Sequence, residues 1–177
     1  MEFAILAPAL LMVLMGLMDI TYQAYFRAVL EGAMQKAGRD SGIEAASNSA
    51  IDEQVRKSAK QVAGNAVITF DRKSYTSFSV VKPERFTDSN KNGIRDPGEC
   101  YDDVNGNKQW DADPGKSGQG GASDVTLYTA TATYKRLFPL GALLGWSSEI
   151  NVTSTTLLKN QPYASQASPN ILTICSP

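Results

Sequence analysis

The residues best suited to chemistry in this chain lie in an acidic, amide-rich stretch that runs from Asp88 to Asp113. Its first twelve residues, 88–99, match the calcium-loop pattern D-x-[DN]-x-[DN]-G-x5-E at every position. Calcium takes six to eight oxygen ligands, which such a loop supplies from side chains, one main-chain carbonyl and a final bidentate glutamate. The residues that we expect to bind a calcium ion are Asp88, Asn90, Asn92, Ile94 (through its carbonyl), Asp96 and Glu99.

A second, less complete copy of the same pattern follows directly. The residues that would bind a second calcium ion, at positions 1, 3, 5, 7 and 9, are Asp103, Asn105, Asn107, Gln109 and Asp111. Lys108 replaces the glycine, and Pro114 stands where the closing acid is expected, although Asp102 or Asp113 could substitute for it. The alternative is a solvated acidic loop that holds no metal.

A cation would explain how this stretch becomes ordered. Residues 86–114 contain seven acids and three cations, so without a metal the loop would repel itself. Because an ion that binds only the folded form stabilises it, we expect calcium to have a structural role. Pro97 disfavours a following helix, which indicates a calcium loop between strands and not a helix-loop-helix sensor.

Catalysis and nucleic-acid binding are not favoured by the composition. The 177 residues include no histidine, so the commonest general base is missing, and no Cys/His or Ser/His pair exists. The formal charge of −1 and the lack of a basic cluster argue against nucleic acid as the main partner. We therefore expect a protein that is not an enzyme.

The element that must position everything else is the N-terminal apolar run from Phe3 to Met18, which is uncharged and flanked by Glu2 and Asp19. As a helix it covers roughly 24 Å, and the next three residues bring it close to the ~30 Å hydrocarbon core. No basic residue precedes it and no small-residue cleavage site follows, so it is not a typical signal peptide. We interpret it as a membrane segment or a filament core.

Helical periodicity continues to about Gly38 and resumes in a second amphipathic segment that Gly64 is expected to end. The stretch 38–42 predicts a break between the two, with Ser49 and Asp52 as a capping box; the alternative is one kinked helix. Residues at period two then predict strands. The predicted strands cover 67–70, 75–81, 125–134 and 150–158.

The N-terminal string Met-Glu-Phe-Ala-Ile-Leu-Ala-Pro-Ala-Leu-Leu, followed by Gly16-Leu17-Met18-Asp19, resembles a TadE-like minor pilin of the tight-adherence (Tad, or Flp-type) pilus. In that family a prepilin peptidase removes a basic leader, and a glutamate at the fifth mature position precedes an aromatic residue. Glu2 and Phe3 match this pair, which the resemblance assigns to assembly. Because Glu2 is second here and not fifth, we expect a leader to have been removed.

Two further stretches support the resemblance. Residues 136–146 are more apolar than a surface loop, which indicates either a flap that closes the sheet onto the helix or a contact patch for the membrane or the next subunit. Residues 115–122 are rich in glycine and predict a flexible linker. They do not form a phosphate-binding loop, because Trp110 stands where its first glycine would be.

The chain has two cysteines, Cys100 and Cys175. Both follow the membrane segment, in a domain that we expect to be exported. We expect a disulfide that holds the tail, residues 161–177, beside the calcium loop. Two separate buried thiols are the alternative.

Together these features predict an α+β, pilin-like fold in which a long helix packs on a small antiparallel sheet. We expect an anchor of residues 1–38 and a head of residues 39–177, with a calcium-loop insertion at 86–122. The resemblance implies a structural minor pilin in the tip or base of the filament, which acts in pilus biogenesis and adhesion. Its expected partners are the membrane, other pilins and Tad-platform inner-membrane proteins, with the head in the periplasm and later outside the cell. The alternative is a membrane-anchored, calcium-dependent adhesin that does not polymerise.

Overall fold

The computed structural model describes residues 2–42, 47–138, 145–162 and 171–175. The fold is α+β, as predicted, with a long apolar helix and a small antiparallel sheet. In chain order the elements are α1 (Glu2–Ser41), α2 (Asn48–Val62), β1 (Val67–Tyr75), a 3-10 helix (Phe78–Val80), β2 (Tyr101–Asp103), β3 (Lys116–Ser117), β4 (Val125–Lys135), β5 (Glu149–Lys159) and β6 (Leu172–Ile174). The four-stranded sheet has the order β3-β1-β4-β5, and β2 pairs with β6 in a separate two-stranded sheet.

Helix α1 continues without interruption past the apolar run, as the periodicity predicts, and ends at Ser41. Pro8 lies inside it, near the N-terminus. Within the described residues it is the one helix that is long and apolar enough to cross a membrane, and most of the large apolar side chains of its N-terminal half are exposed. The side chain of Glu2 lies outside the described part of the structure.

Helix α2 is separate from α1, as the predicted break requires, but it starts earlier than the capping box at Ser49 indicated. Ser47 is the N-cap, and its hydroxyl accepts the N–H of Ala50 at 3.4 Å. The helix therefore begins after Ser47, because the Ser47 hydroxyl accepts one of the N–H groups that have no partner in the first turn. Ile51 and Val55 are buried on one face, as the apolar spacing predicts.

Two sequence predictions about the strands were wrong. Residues 75–81 do not form a second strand, because β1 runs unbroken to Tyr75 and Phe78–Val80 form a 3-10 helix. The stretch 115–122 is not a free linker, since Lys116 and Ser117 form β3 against β1 in an antiparallel register. Pairing of its backbone with a neighbouring strand supplies order that the composition alone does not indicate.

The chain divides into two compact units, of which the first comprises residues 1–41, 45–70 and 129–156. Its core lies where α1 meets α2 and the strand segments, around fully buried Phe26, Leu30 and Met34. The Phe26 ring lies 4.5 Å from that of Tyr134, measured between centroids. Tyr22 donates a hydrogen bond to the carbonyl of Val62 at 2.8 Å, which ties α1 to the end of α2.

The second unit comprises residues 42–44, 71–128 and 157–177. Val125 and Tyr128 are fully buried within it, and the Arg72 guanidinium lies 4.0 Å above the Tyr128 ring. Both acidic loops belong to this unit. In the apolar stretch 136–146, residues 139–144 lie outside the described residues, and the division into an anchor of 1–38 and a head of 39–177 stays a prediction.

Candidate functional site

The first acidic loop is closed at its base by backbone pairing. Phe86 forms an isolated antiparallel bridge with Tyr101, and the N–H of Thr87 donates to the carbonyl of Cys100 at 2.8 Å. The two ends of residues 88–99 are therefore held side by side. This closure lets the twelve residues between them wrap around a centre.

Within this first loop, the predicted side-chain ligands turn inward on one another. Asp88 accepts the N–H of Gly93 at 2.8 Å and that of Asn92 at 3.1 Å. Oδ2 of Asp96 accepts both amide groups, from Asn90 at 2.6 Å and from Asn92 at 2.8 Å. Loop positions 1, 3, 5 and 9 are thus brought together, as the pattern requires.

Glu99 closes the loop with both carboxylate oxygens. Its Oε1 accepts the N–H of Ser89 at 2.7 Å, and its Oε2 accepts the N–H of Asp96 at 3.0 Å. The residue is 6% exposed. The Ile94 side chain points to solvent, which agrees with a role for its carbonyl alone. The buried carboxylate of Glu99 therefore links Ser89, at loop position 2, to Asp96, at loop position 9.

The second loop repeats this arrangement almost bond for bond. Asp103, which is 1% exposed, accepts the N–H of Lys108 at 2.9 Å, as Asp88 accepts that of Gly93. Oδ2 of Asp111 accepts the amide groups of Asn105 at 2.6 Å and Asn107 at 2.7 Å. The N–H at position 7, that of Gln109, meets Oδ1 of Asn107 at 2.7 Å, as in the first loop.

The lysine that stands at position 6 of the second loop does not disrupt the turn. Both loops have positive φ angles at positions 4 and 6: 60° at Lys91 and 76° at Gly93, then 80° at Gly106 and 62° at Lys108. Glycine and lysine have simply exchanged places between the two positions. Because the left-handed conformation costs a lysine about 1–2 kcal/mol, each loop has one strained residue.

The closing acid of the second loop is Glu84, which sequence reasoning missed. Its Oε1 accepts the N–H of Val104 (position 2) and its Oε2 accepts the N–H of Asp111 (position 9), both at 2.9 Å. These are the two bonds that Glu99 makes in the first loop. Glu84 is 3% exposed, and its carbonyl accepts the indole N–H of Trp110 at 2.9 Å.

Glu84 precedes both loops, so no pattern of fixed spacing could have found it. Pro114, at position 12 of the second loop, supplies no oxygen side chain, which was the one signal that the acid must come from elsewhere. Asp102 and Asp113, the substitutes that sequence suggested, do not fill this place. Asp102 accepts the hydroxyl of Thr173 at 2.8 Å, and Asp113 is bound by side chains of β1.

Asp113 forms a polar cluster with Lys73 and Tyr75 of β1. It forms an ion pair with Lys73 and accepts the phenol of Tyr75 at 2.8 Å. Burial, together with this hydrogen bond, raises the pKa of Tyr75 to about 12. The hydrogen bond to Asp113 raises the pKa of Lys73, with burial acting against it. Burial alone would raise the pKa of Asp113, but the hydrogen bonds from both partners outweigh it and lower that pKa.

The disulfide predicted between Cys100 and Cys175 is confirmed. Strand β6 pairs with β2 in the register Tyr101 to Ile174 and Asp103 to Leu172, so the end of the chain lies beside both loops. The expected position of the tail is therefore confirmed for residues 171–175. Residues 163–170 lie outside the described part.

The donor set fits a hard cation such as calcium better than any metal that needs nitrogen or sulfur. Among the described residues, no three Asp, Glu, Cys or His side chains converge as a metal site, so carboxylates alone would not suffice. Each loop instead combines two aspartates, two asparagine amides, a main-chain carbonyl and one glutamate. Mixed carboxylate, amide and carbonyl oxygens are the ligand set typical of calcium loops.

The apolar side chains of α1 are the second candidate functional surface. The most exposed side chains among them are Phe3 (78%), Leu6 (65%), Ile20 (66%), Val13 (60%) and Met18 (59%). Water does not stabilise so long an apolar surface, and a bilayer or a bundle of like helices does. The assembly role expected of Glu2 and Phe3 stays a prediction.

Among the described residues, one helix at the N-terminus is long and apolar enough to cross a membrane and exposes apolar side chains, which favours membrane anchoring. The family model of TadE-like proteins matches residues 1–39, nearly the whole of α1, so this part of the chain is similar to TadE-like proteins. This confirms the resemblance drawn from the N-terminal string. Comparisons with curated proteins and with solved structures found no significant match.

Proposed function

We propose that this protein is a structural minor component of a Tad-type pilus, built into the tip or base of the filament and acting in pilus biogenesis and surface adhesion. The observation that carries the proposal is that the TadE-like match covers α1, the one helix among the described residues that is long and apolar enough to cross a membrane and whose N-terminal half exposes its apolar side chains. Such a helix needs lipid before assembly and the helices of other pilins after it. Tad-platform proteins of the inner membrane would transfer it from one to the other.

The pilus role is tested in a strain that lacks the gene and is complemented with the full chain. Leu14 lies within the apolar run and is 48% exposed, so Leu14→Arg places a charge in the hydrocarbon core, where the cost reaches about 2.5–3.5 kcal/mol at the bilayer centre. We expect this variant to lose surface pili, while the matched control Leu14→Phe keeps them. Sheared pili and membranes are then probed for the protein.

The shearing experiment also separates the two candidate functions. A pilus component is recovered with the sheared filaments or is required for their formation. Full piliation without the protein, together with loss of adhesion only, would instead support a membrane-anchored adhesin that does not polymerise. The calcium-loop head favours this second candidate, because such loops also brace binding modules.

We also propose that the head is stabilised by calcium at both loops, with the first loop held by the residues named from its pattern. The support is that two loops of different sequence place the same hydrogen-bonding groups at the same positions, each around an inward-facing aspartate (Asp96, Asp111). In each loop two asparagine amides donate to that carboxylate, and rotation of the amides would present oxygens there instead. A cation would then neutralise carboxylates that now face only N–H donors.

Calcium is tested by thermal unfolding of the full chain in lipid nanodiscs, with the ion and with chelator. At a calcium concentration one hundred times the Kd, one site adds about 2.7 kcal/mol to the free energy of unfolding. Glu99→Gln should remove the contribution of the first loop, while the exposed Glu53→Gln should not. An equal midpoint in calcium and in chelator would exclude the metal but leave the pilus role intact.

A further inference from the structure

The ends of β4 and β5 that face the N-terminal half of α1 carry an exposed apolar pair. Trp146 is 61% exposed and Leu137 is 50% exposed. We propose that these two side chains lie in the headgroup interface of the bilayer that α1 crosses, so that the described residues at this end of β4 and β5 contact the lipid surface. The inference depends on membrane insertion of α1, and it requires neither calcium nor pilus assembly.

An ion pair fixes the height of this end of β4 and β5 along α1. Arg136, which directly follows β4, bonds the carboxylate of Asp19, and the Asp19 residue is 8% exposed. Asp19 comes seventeen residues after Glu2, which corresponds to about 26 Å of helix. Because the hydrocarbon core is about 30 Å thick, Asp19 falls close to the level at which lipid tails give way to headgroups.

Arg136 also holds the exposed pair in place. Its Nε donates to the carbonyl of Ser147 at 2.9 Å, and its backbone N–H donates to the carbonyl of Ser148 at 3.0 Å. The guanidinium carbon lies 5.8 Å from the centroid of the Trp146 ring. The salt bridge that sets the height of Arg136 therefore sets that of the tryptophan ring as well.

The chemistry of this group is that of a membrane interface. Tryptophan is enriched at the level of the headgroups, where an apolar ring and a polar N–H are both satisfied. Lys135, the last residue of β4, is exposed and adds a positive charge that anionic headgroups attract. Leu137 supplies an apolar side chain that would otherwise face water.

Lipid fits this surface better than a second protein chain, because the surface continues one that already faces lipid. The apolar side chains of α1 stay exposed through Leu17, Met18 and Ile20, which are 57%, 59% and 66% exposed. Asp19, between them, is the level at which Arg136 joins the helix. Leu137 and Trp146 therefore extend the lipid-facing surface of α1 sideways at the level of Asp19.

The test uses tryptophan fluorescence of the full chain in nanodiscs of phosphatidylethanolamine and phosphatidylglycerol. The chain has two tryptophans, so the wild type reports on Trp110 and Trp146, and the Trp146→Phe variant reports on Trp110 alone. Lipids brominated near the glycerol backbone quench an indole at the interface, and lipids brominated at the tail end quench one at the bilayer centre. Trp146 is exposed, so its replacement leaves the fold intact and gives a matched control.

We expect shallow brominated lipid to quench the wild type more strongly than deep brominated lipid, and to leave Trp146→Phe unaffected. Equal quenching of the two proteins, with Trp146 accessible to acrylamide, would show that the ring faces water and would overturn the inference. Protection from acrylamide without lipid quenching would show a protein partner and would overturn it too. Flotation of the chain with vesicles checks insertion separately, so a failed anchor is not mistaken for a failed interface.

Discussion

Replacement of Glu84 by Gln is the sharpest test of whether the two loops are equivalent. Glu84 is distant in sequence from the second loop, and only folding brings it there. The carboxylate is buried and accepts two backbone N–H groups, those of Val104 and Asp111, each at 2.9 Å. Glutamine keeps one carbonyl oxygen but turns an NH2 group toward the other donor. The change therefore removes one charge-assisted bond and weakens the second, while the side-chain volume stays nearly the same.

The expected magnitude follows from these two bonds. A hydrogen bond to a charged group contributes about 1.5–3 kcal/mol, and an unsatisfied buried donor costs about 1–3 kcal/mol. In chelator we expect Glu84→Gln to lower the free energy of unfolding by about 2 kcal/mol. In calcium the loss should be larger by the contribution of one ion, about 2.7 kcal/mol at one hundred times the Kd.

Isothermal titration calorimetry of the full chain in nanodiscs measures the stoichiometry directly. We expect two calcium ions for the wild type and one for Glu84→Gln. Glu99→Gln should lose the other ion, and Glu149→Gln, at an exposed position, should keep both. If Glu84→Gln still binds two ions with the affinities of the wild type, Glu84 does not close the second loop and the proposed equivalence of the two loops is wrong.

Three other changes give measurable results. Serine at both Cys100 and Cys175 should lower the free energy of unfolding by about 4 kcal/mol in urea titrations, because the bridge spans a sequence separation of 75 residues; a loss below about 1 kcal/mol would contradict the chain-entropy account. Tyr134→Phe should remove part of the loss of stability at alkaline pH. Burial raises the pKa of the Tyr134 phenol from 10.0 to about 12 in the folded chain, so the neutral phenol stays in place below pH 10. This contribution to the free energy of unfolding is lost as the pH rises from 10 through 12. Identical alkaline midpoints for this variant and the wild type would refute that assignment. Gly120→Ala should cost about 1–3 kcal/mol in thermal unfolding, since φ is +74° there and a Cβ would lie 2.6 Å from a side-chain carbon of β1; an unchanged midpoint would show that the turn can relax.

The elements governed by local pattern could be predicted from the sequence. The apolar run and its continuation gave α1, and the Thr- and Val-rich alternations gave β4 and β5 to within one residue at each end. The calcium-loop pattern of residues 88–99 was visible in the sequence because its twelve positions are contiguous, and calcium binding there stays a prediction. The cysteine count was enough to predict the bridge between Cys100 and Cys175.

The remaining features depend on contacts between distant parts of the chain. The glycine-rich stretch around Lys116 looked like a linker because its order comes from pairing with β1, which no local pattern encodes. Val80 was assigned to a strand by its alternation, but the structure places it in a 3-10 helix. Glu84 went unnoticed because a residue that bonds a loop from outside it has no fixed spacing to that loop. Polar side chains that close a site across the fold are the least accessible to sequence reasoning.

Strand β2 gives the two loops a shared backbone. Glu99 ends the first loop, Cys100 forms the disulfide, and Asp103 begins the second loop, so five consecutive residues carry the last acid of one site and the first of the other. Ordering either loop fixes the start of its neighbour, and the bridge to Cys175 limits how far both can move. An ion bound in one loop would therefore lower the entropic cost of filling the other, which would make binding cooperative.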